Sequence, residues 1–274
     1  MALQNLTRCL LAAGGISDKK GVSDERGNAM YLLYINPERS SLSCAYWKGD
    51  SFGKRELLAN EVRPNSVASY LITPSGEKVV IYISSSNVIS GVRYDEEEED
   101  WVADHAIAAL KNTVDPDGKL TAVLDVDGHP CVFFEDTSKR LVYLDNAWAP
   151  AFLPADLVKG SPLATSIVGG KVYVFYISAK DNCMHYVTQE GQQGGDWCDT
   201  LVSEYAFEKK PKRFLVTQTP DSRKFESYVL TDGNALLQIN AEGKGKVLGK
   251  VDETGLFTPI DMQQSSIITI ILGF

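Results

Sequence analysis

The sequence predicts an all-β chain, a β-propeller of about six four-stranded antiparallel blades whose last blade is short and closed by the N-terminus. Three observations predict it. The first is one unit, Leu163 to Leu201, that holds every recurring element in order. A small apolar run, Leu163 to Val168, meets a Gly169-Gly170 turn and then the alternating run Val172 to Ile177. Cys183 to Val187 follows, and a Gly-rich loop leads to Trp197 and a closing segment ending at Val202. Short apolar runs broken by turn residues read as strands, here a four-stranded meander. The second observation is that the same order returns at Ser66 to Ala108 and at Lys119 to Ala155. The third is the period: Tyr34, Tyr82, Phe134, Tyr176 and Val229 align as second-strand residues about 48, 52, 42 and 53 positions apart, the spacing of propeller blades. Such a sheet cannot bury both faces alone, so neighbouring units must stack, and residues 1–274 read as a single domain.

In chain order, Thr7 to Ile16 is a candidate first inner strand, followed by a polar loop. Met30 to Ile35, Ser41 to Trp47 and Lys54 to Ala59 supply the second, third and fourth strands of blade one. Blade two begins at Ser66. Its acidic run Asp95 to Asp100 reads as a solvated turn rather than a metal site. Asp125-Val126-Asp127-Gly128, in blade three, lacks the later ligands of a calcium loop and reads as a hairpin turn. Blade five, Arg213 to Val251, keeps the strand pattern without a tryptophan. A sixth unit starts with Phe257 to Gln263 and Ser266 to Phe274. The apolar ending IITIILGF needs a cover, because an uncovered edge invites association. Ala2 to Leu6 is the economical cover, and a second copy of the chain, giving a homodimer, is the other.

Bulk properties narrow the function. A net charge of −9 and a pI near 4.9 exclude a phosphate-backbone footprint, so no nucleic-acid partner is expected. No run is long and apolar enough to span a membrane. Cys9, Cys44, Cys131, Cys183 and Cys198 show no metal spacing and read as thiols of a reducing compartment. No secretory signal is evident, so the expected location is cytoplasmic and the Asn5-Leu6-Thr7 sequon is read as chance. Phosphate-loop, dinucleotide, zinc and Ser-His-Asp signatures are absent, and no cofactor is expected.

With the units aligned, the chain resembles the fungal fucose-specific lectins of the Aleuria type, six-bladed propellers with sugar pockets between blades. The resemblance rests on the period, on the aromatic pairs Phe175-Tyr176 and Phe133-Phe134, and on Trp47, Trp101, Trp148 and Trp197 after the third strands. In that family an arginine early in the second strand, a glutamate near the start of the third and a stacking aromatic hold the sugar. The aligned arginine column here reads Tyr31, Val79, Cys131, Tyr173 and Glu226. The glutamate column reads Cys44, Gly91, Val142, His185 and Leu237. Loss of both charges removes the paired charge-assisted bonds of a sugar site, and the scaffold reads as reused.

Two functions follow. The chain looks like the lectin-like fungal enzymes of natural-product biosynthesis that catalyse hetero-Diels–Alder additions. That resemblance implies a cofactor-independent pericyclase joining a tropolone quinone methide to a humulene-type sesquiterpene, both small apolar substrates. Such catalysis needs a shaped cavity and one or two polar groups. The candidates are His185 as acid or donor and Arg93 as oxygen clamp. Trp47, Tyr94, Trp101, Tyr143, Tyr186 and Trp197 are candidate substrate-binding walls. The alternative is a carbohydrate-binding lectin of altered specificity. Uneven decoration, with Arg93, His185 and Asp145 each occurring in one unit only, favours a single asymmetric site.

Overall fold

A computed structural model describes residues 30–47, 52–190, 195–218, 224–252 and 257–260. These form five antiparallel sheets. Blade one contains β1 (Met30–Asn36), β2 (Ser41–Trp47) and β3 (Phe52–Ala59). Blade two contains β4 (Ala68–Ile72), β5 (Lys78–Ile83), β6 (Ile89–Asp95) and β7 (Asp100–Ala103), followed by a short helix, α1 (His105–Ala109). Blade three runs through β8 (Leu120–Leu124), β9 (Pro130–Glu135), β10 (Leu141–Leu144) and β11 (Pro150–Phe152). Blade four comprises β12 (Ala164–Val168), β13 (Lys171–Ile177), β14 (Cys183–Gln189) and β15 (Trp197–Ala206). Blade five comprises β16 (Arg213–Gln218), β17 (Phe225–Leu230), β18 (Ala235–Ile239), β19 (Gly245–Val251) and β20 (Phe257–Pro259). Each sheet is a meander paired in sequence order, and β4, β8, β12 and β16 lie side by side around a central cavity.

The described residues form five blades rather than the expected six. Phe257–Pro259 does not open a new unit. It pairs antiparallel with the outer edge of β19, Val251 opposite Phe257 and Gly249 opposite Pro259, as a fifth strand of blade five. The free N–H and C=O groups along β19 give that segment its hydrogen bonds without a new blade. Ser266 to Phe274, Thr7 to Ile16 and the closing segment Ala2 to Leu6 lie outside the described residues. Helix α1 is also an addition to the all-β expectation. Asp104 caps it, accepting the N–H groups of Ala106 and Ile107, and buried Ile107 fills the space beside Gly91, where a Cβ would lie 2.6 Å from its Cδ1.

Both faces of the middle strands are apolar because both are covered. In β9, Val132 and Phe134 pack into the core between blades two and three, while Cys131 and Phe133 pack between blades three and four. In β13, Val174 and Tyr176 face blade three, and Phe175 and Ile177 face blade five. Period-two alternation thus divides each strand between two interfaces. The turn after each second strand repeats in chemistry as well. Asn36, Ser84, Asp136, Ser178 and Thr231 each accept backbone N–H groups two to four residues on. Each such turn ends on a residue of positive φ: Ser40, Asn87, Lys139, Asn182 and Asn234. Asparagine tolerates that conformation better than most residues, which fits its use at three of the five.

Linkers bind one blade to the next. Val62, Val114 and Leu157 bridge Ser84, Asp136 and Ser178 at the ends of the following second strands. Buried Arg63 donates to Asn87 Oδ1 (3.0 Å), to the Asp115 carbonyl (2.8 Å) and to the Gly118 carbonyl, joining the linkers before blades two and three.

Because inter-blade packing carries the fold, Ile81→Ala in the core between blades two and three should cost about 2–5 kcal/mol. Leu57→Ala, whose residue is 53% exposed, should cost less than about 0.5 kcal/mol. Urea denaturation of the two variants checks this, and equal costs would contradict it.

Candidate functional site

Two of the cavities on the described residues lie at opposite ends of the inner strands. One, of about 430 Å³, is the mouth of the central cavity, where β4, β8, β12 and β16 begin. The other, of about 580 Å³, lies between blades three and four beside the turns that follow β8 and β12.

The inter-blade pocket has an aromatic wall. Phe133 on β9 stacks on Tyr143 of β10, their rings 5.0 Å apart and 15° from parallel. Trp197, opening β15 of the next blade, lies 5.4 Å from Tyr143 at 58° and 6.0 Å edge-on from Phe133. Cys131 Sγ sits 3.5 Å from Tyr143 Oη. Burial pushes the Cys131 thiol up to about 11, only partly opposed by the hydrogen bond with Tyr143. Burial, and then the bond with Cys131, also raises the Tyr143 hydroxyl above its usual range, so both groups are neutral at pH 7. Asp125, Lys171 and Gln189 supply the polar rim. Asp125 Oδ1 accepts the N–H groups of Asp127 (2.9 Å) and His129 (2.8 Å), which makes this stretch the expected hairpin turn. Asp125, Asp127 and His129 are also the described side chains whose ligand atoms could meet at one metal, all within 4.8 Å, but two of the three are exposed.

His185, itself buried, belongs to a separate network that reaches the surface at Asp181. Its Nδ1 lies 3.0 and 3.2 Å from the Asp199 carboxylate and its Nε2 3.0 Å from Asp181 Oδ2. Tyr176 Oη donates to the same Asp199 at 2.6 Å. Burial acts to raise the Asp181 carboxyl, but the Cys183 N–H and the His185 ring together hold it below its usual value. Burial, then the bond to Asp199, raises the Tyr176 hydroxyl.

No family model matches the chain, and no curated protein matches it in sequence. Solved structures do match it in shape. A variant of AofleA from Arthrobotrys oligospora, with three arginines replaced by alanine, superposes with a TM-score of 0.67 at 14% identity, covering 92% of this chain and 79% of that one. The Aleuria aurantia lectin in complex with α-methyl-L-fucoside, as a point variant, gives 0.62 at 12% identity over 85% and 77%. SapL1 lectin in complex with α-methyl fucoside gives 0.57 at 16% over 87% and 80%. The fold is that of an Aleuria-type lectin propeller. At these identities the likeness is one of fold alone, and the Aleuria protein is six-bladed, whereas the residues described here form five sheets.

The strand ladders correct one column of the sequence alignment. Second-strand positions Val79, Cys131 and Tyr173 all face the following blade. In the third strands, Leu33, Ile81, Phe133, Phe175 and Tyr228 pair with Cys44, Gly91, Tyr143, Tyr186 and Gln238. Val142, His185 and Leu237 are one residue out of that register and point towards the preceding blade, since a slip of one flips a side chain to the other face. The position that His185 was expected to fill is therefore held by Tyr186. Conserving the pleat through the turn between the second and third strands was the signal that sequence alignment needed.

The fold separates the remaining candidates. Tyr143 and Trp197 share the pocket between blades three and four. Trp101 packs between blades one and two, edge-on to Tyr70 (5.7 Å) and Tyr94 (5.6 Å), its Nε1 donating to Glu56 at 3.4 Å. Tyr94 also lies under Lys78 Nζ at 4.3 Å. Tyr186 packs with Tyr173, Phe175 and Phe225 between blades four and five. Arg93 is exposed on β6 opposite Val79 and Val102. Trp47 ends β2, and its side chain falls outside the described residues. The polar rim residues Asp125, Lys171 and Gln189 had no sequence signal beyond ordinary turn composition.

Asp199→Ala strands the buried donors of Tyr176 and His185 and should cost about 1–3 kcal/mol for each, read as a lower urea midpoint; an unchanged midpoint would contradict the network. Alkylation of Cys131 by iodoacetamide should be slow at pH 8 and rise about tenfold per pH unit towards 11, because the thiolate is the nucleophile. Fast labelling at pH 8, followed by peptide mass spectrometry, would refute the raised thiol.

Proposed function

We propose that this propeller binds one uncharged cyclic molecule in the pocket between blades three and four. The observation that carries the reading is the wall of Tyr143 and Trp197, contributed by two different blades and open to a cavity of about 580 Å³. That size lies in the range of about 300–1,000 Å³ that suits small ligands. The apolar face of a ring packs on such aromatics, while Asp125, Lys171 and Gln189 bond polar groups at its edge. Two of the similar structures carry α-methyl fucoside, and a neutral sugar is one such ring. Cys131 stands where the lectin family has its arginine, so recognition here rests on stacking and on the rim residues rather than on an arginine.

The same aromatic wall favours a second, catalytic reading, the hetero-Diels–Alder addition of a tropolone quinone methide to a humulene-type sesquiterpene. In it the cavity holds diene and alkene in a near-attack arrangement, a source of up to about 7–11 kcal/mol. The Asp125 carboxylate accepts the tropolone hydroxyl proton while the Lys171 ammonium gives one to the departing benzylic hydroxyl, which leaves as water, and the proton returns from Asp125 to Lys171 through solvent. These two rim residues replace His185 and Arg93 as the polar groups of the reaction, because they line the cavity.

Trp197 makes binding visible by fluorescence. Titration with α-methyl fucoside, a neutral glycan set and a hydroxymethyl-tropolone should give saturable quenching with at least one class. Trp197→Phe should remove the quenching signal, which assigns it to this pocket, whereas Tyr143→Ala should weaken binding about tenfold, the loss of one aromatic contact. Tyr186→Ala, at the next interface, should leave affinity unchanged. Mass spectrometry of the tropolone and humulene pair then decides between the readings, a protein-dependent adduct supporting catalysis. No binding in any class, or binding indifferent to Tyr143→Ala, sinks the site.

A further inference from the structure

The mouth of the central cavity carries a charge opposite to that of the chain. In a protein of net charge −9, its lining holds Lys119, Lys210, Lys212 and Arg213 against one carboxylate, Asp232. The bonds that position these lysines neutralise nothing. Lys119 Nζ donates to the Asn65 carbonyl (2.9 Å), Lys210 Nζ to the Lys159 carbonyl (2.8 Å) and Lys212 Nζ to Asn234 Oδ1 (2.7 Å). Each ammonium keeps further donors available. Asp117, nearby, is already paired with Lys159 at 2.8 Å. Arg213 opens β16, paired through its backbone with Leu230, and its guanidinium has no hydrogen bond or ion pair among the described residues. Gly160, at φ +64, lets the Lys210 ammonium come in close, since a Cβ there would lie 2.9 Å from Nζ and 2.8 Å from the Asp117 carbonyl.

We propose that this mouth is an anion site that takes a compact tetrahedral oxyanion, a phosphate or sulfate ester group, between Arg213 and Lys119, with Lys210 and Lys212 at its edge. A planar guanidinium with free donors matches such an anion, and the ammonium groups add point charges around it. Thr121 and Thr165, their hydroxyls 3.2 Å apart, give the cavity a polar floor. The titration behaviour agrees: burial, then Arg63, Arg213 and Lys210, brings the Lys119 ammonium down to about 8, with only Asp117 opposing. Burial alone brings Arg213 down to about 10. Of the two cations, only Lys119 feels a nearby carboxylate, Asp117. The site is independent of the pocket between blades three and four, at the other end of the inner strands.

The test titrates the intact protein with inorganic phosphate and with sulfate, against sodium chloride at matched ionic strength, by calorimetry and by the shift of the thermal midpoint. Saturable binding of either oxyanion above the chloride control is expected, weakened at least tenfold in Arg213→Gln and in Lys119→Met. Tyr143→Ala should leave it unchanged. If Arg213→Gln does not fold, Lys210→Gln, at the edge of the mouth, carries the comparison with a several-fold loss. A phosphomonoester and a sulfated sugar, added separately, distinguish the two sources of the group. Heat or midpoint changes no larger than those of chloride, or binding indifferent to Arg213, Lys119 and Lys210, would overturn the proposal.

Discussion

Every blade depends on its neighbours because its sheet is apolar on both sides. An isolated four-stranded meander would leave half of β9 or β13 facing water. The side chains of Phe133 and Phe134, adjacent in sequence, instead enter two different cores. Removal of this apolar area from water on both faces is the main favourable contribution. It also explains why function sits at the blade ends. Between the middles of the strands the interfaces are filled, and space remains where turns splay apart, as beside the turns after β8 and β12, or where the inner strands begin.

Much of this was legible in the sequence, for a physical reason. Alternation with period two, turn residues between runs and an aromatic in each second strand expose the strands and their repeat, and the pairing of blades two to five follows it closely. Register was less legible. The turns between second and third strands differ by one residue, Asn36 closing on Ser41 and Ser178 on Cys183 but Ser84 on Val88, Asp136 on Arg140 and Thr231 on Ala235, so counting residues placed Val142, His185 and Leu237 one step out of the column they were assigned to. The pairing of Tyr176 with His185 and Phe175 with Tyr186 is a property of the ladder, not of local composition. Five-residue α1 is too short for a helical period to show, and β20 is chosen by a free edge that no local pattern announces.

Site residues divide along the same line. Tyr143 and Trp197 could be named in advance because aromatics recur at set places in the repeat. Which aromatics share one cavity could not, since that depends on how neighbouring blades approach. His185 looked like a solitary polar group in a strand, and the fold surrounds it with Asp181, Asp199 and Tyr176. The basic mouth was invisible in a strongly acidic composition, because Lys119 and Arg213 are far apart in sequence and are brought together only by the return of each inner strand to the same end of the molecule.

The side-chain-capped turns bear on how such a chain reaches its native state. Asn36, Ser84, Asp136, Ser178 and Thr231 close their hairpins with bonds to residues two to four positions on, and every strand pair joins sequence neighbours. Contacts inside a blade are therefore of low contact order and demand little loop-closure entropy. Contacts between blades span a whole repeat and come only after each sheet exists. The route that follows is hierarchical: hairpins first, blades next, and the docking of preformed sheets as the slow, aggregation-exposed step.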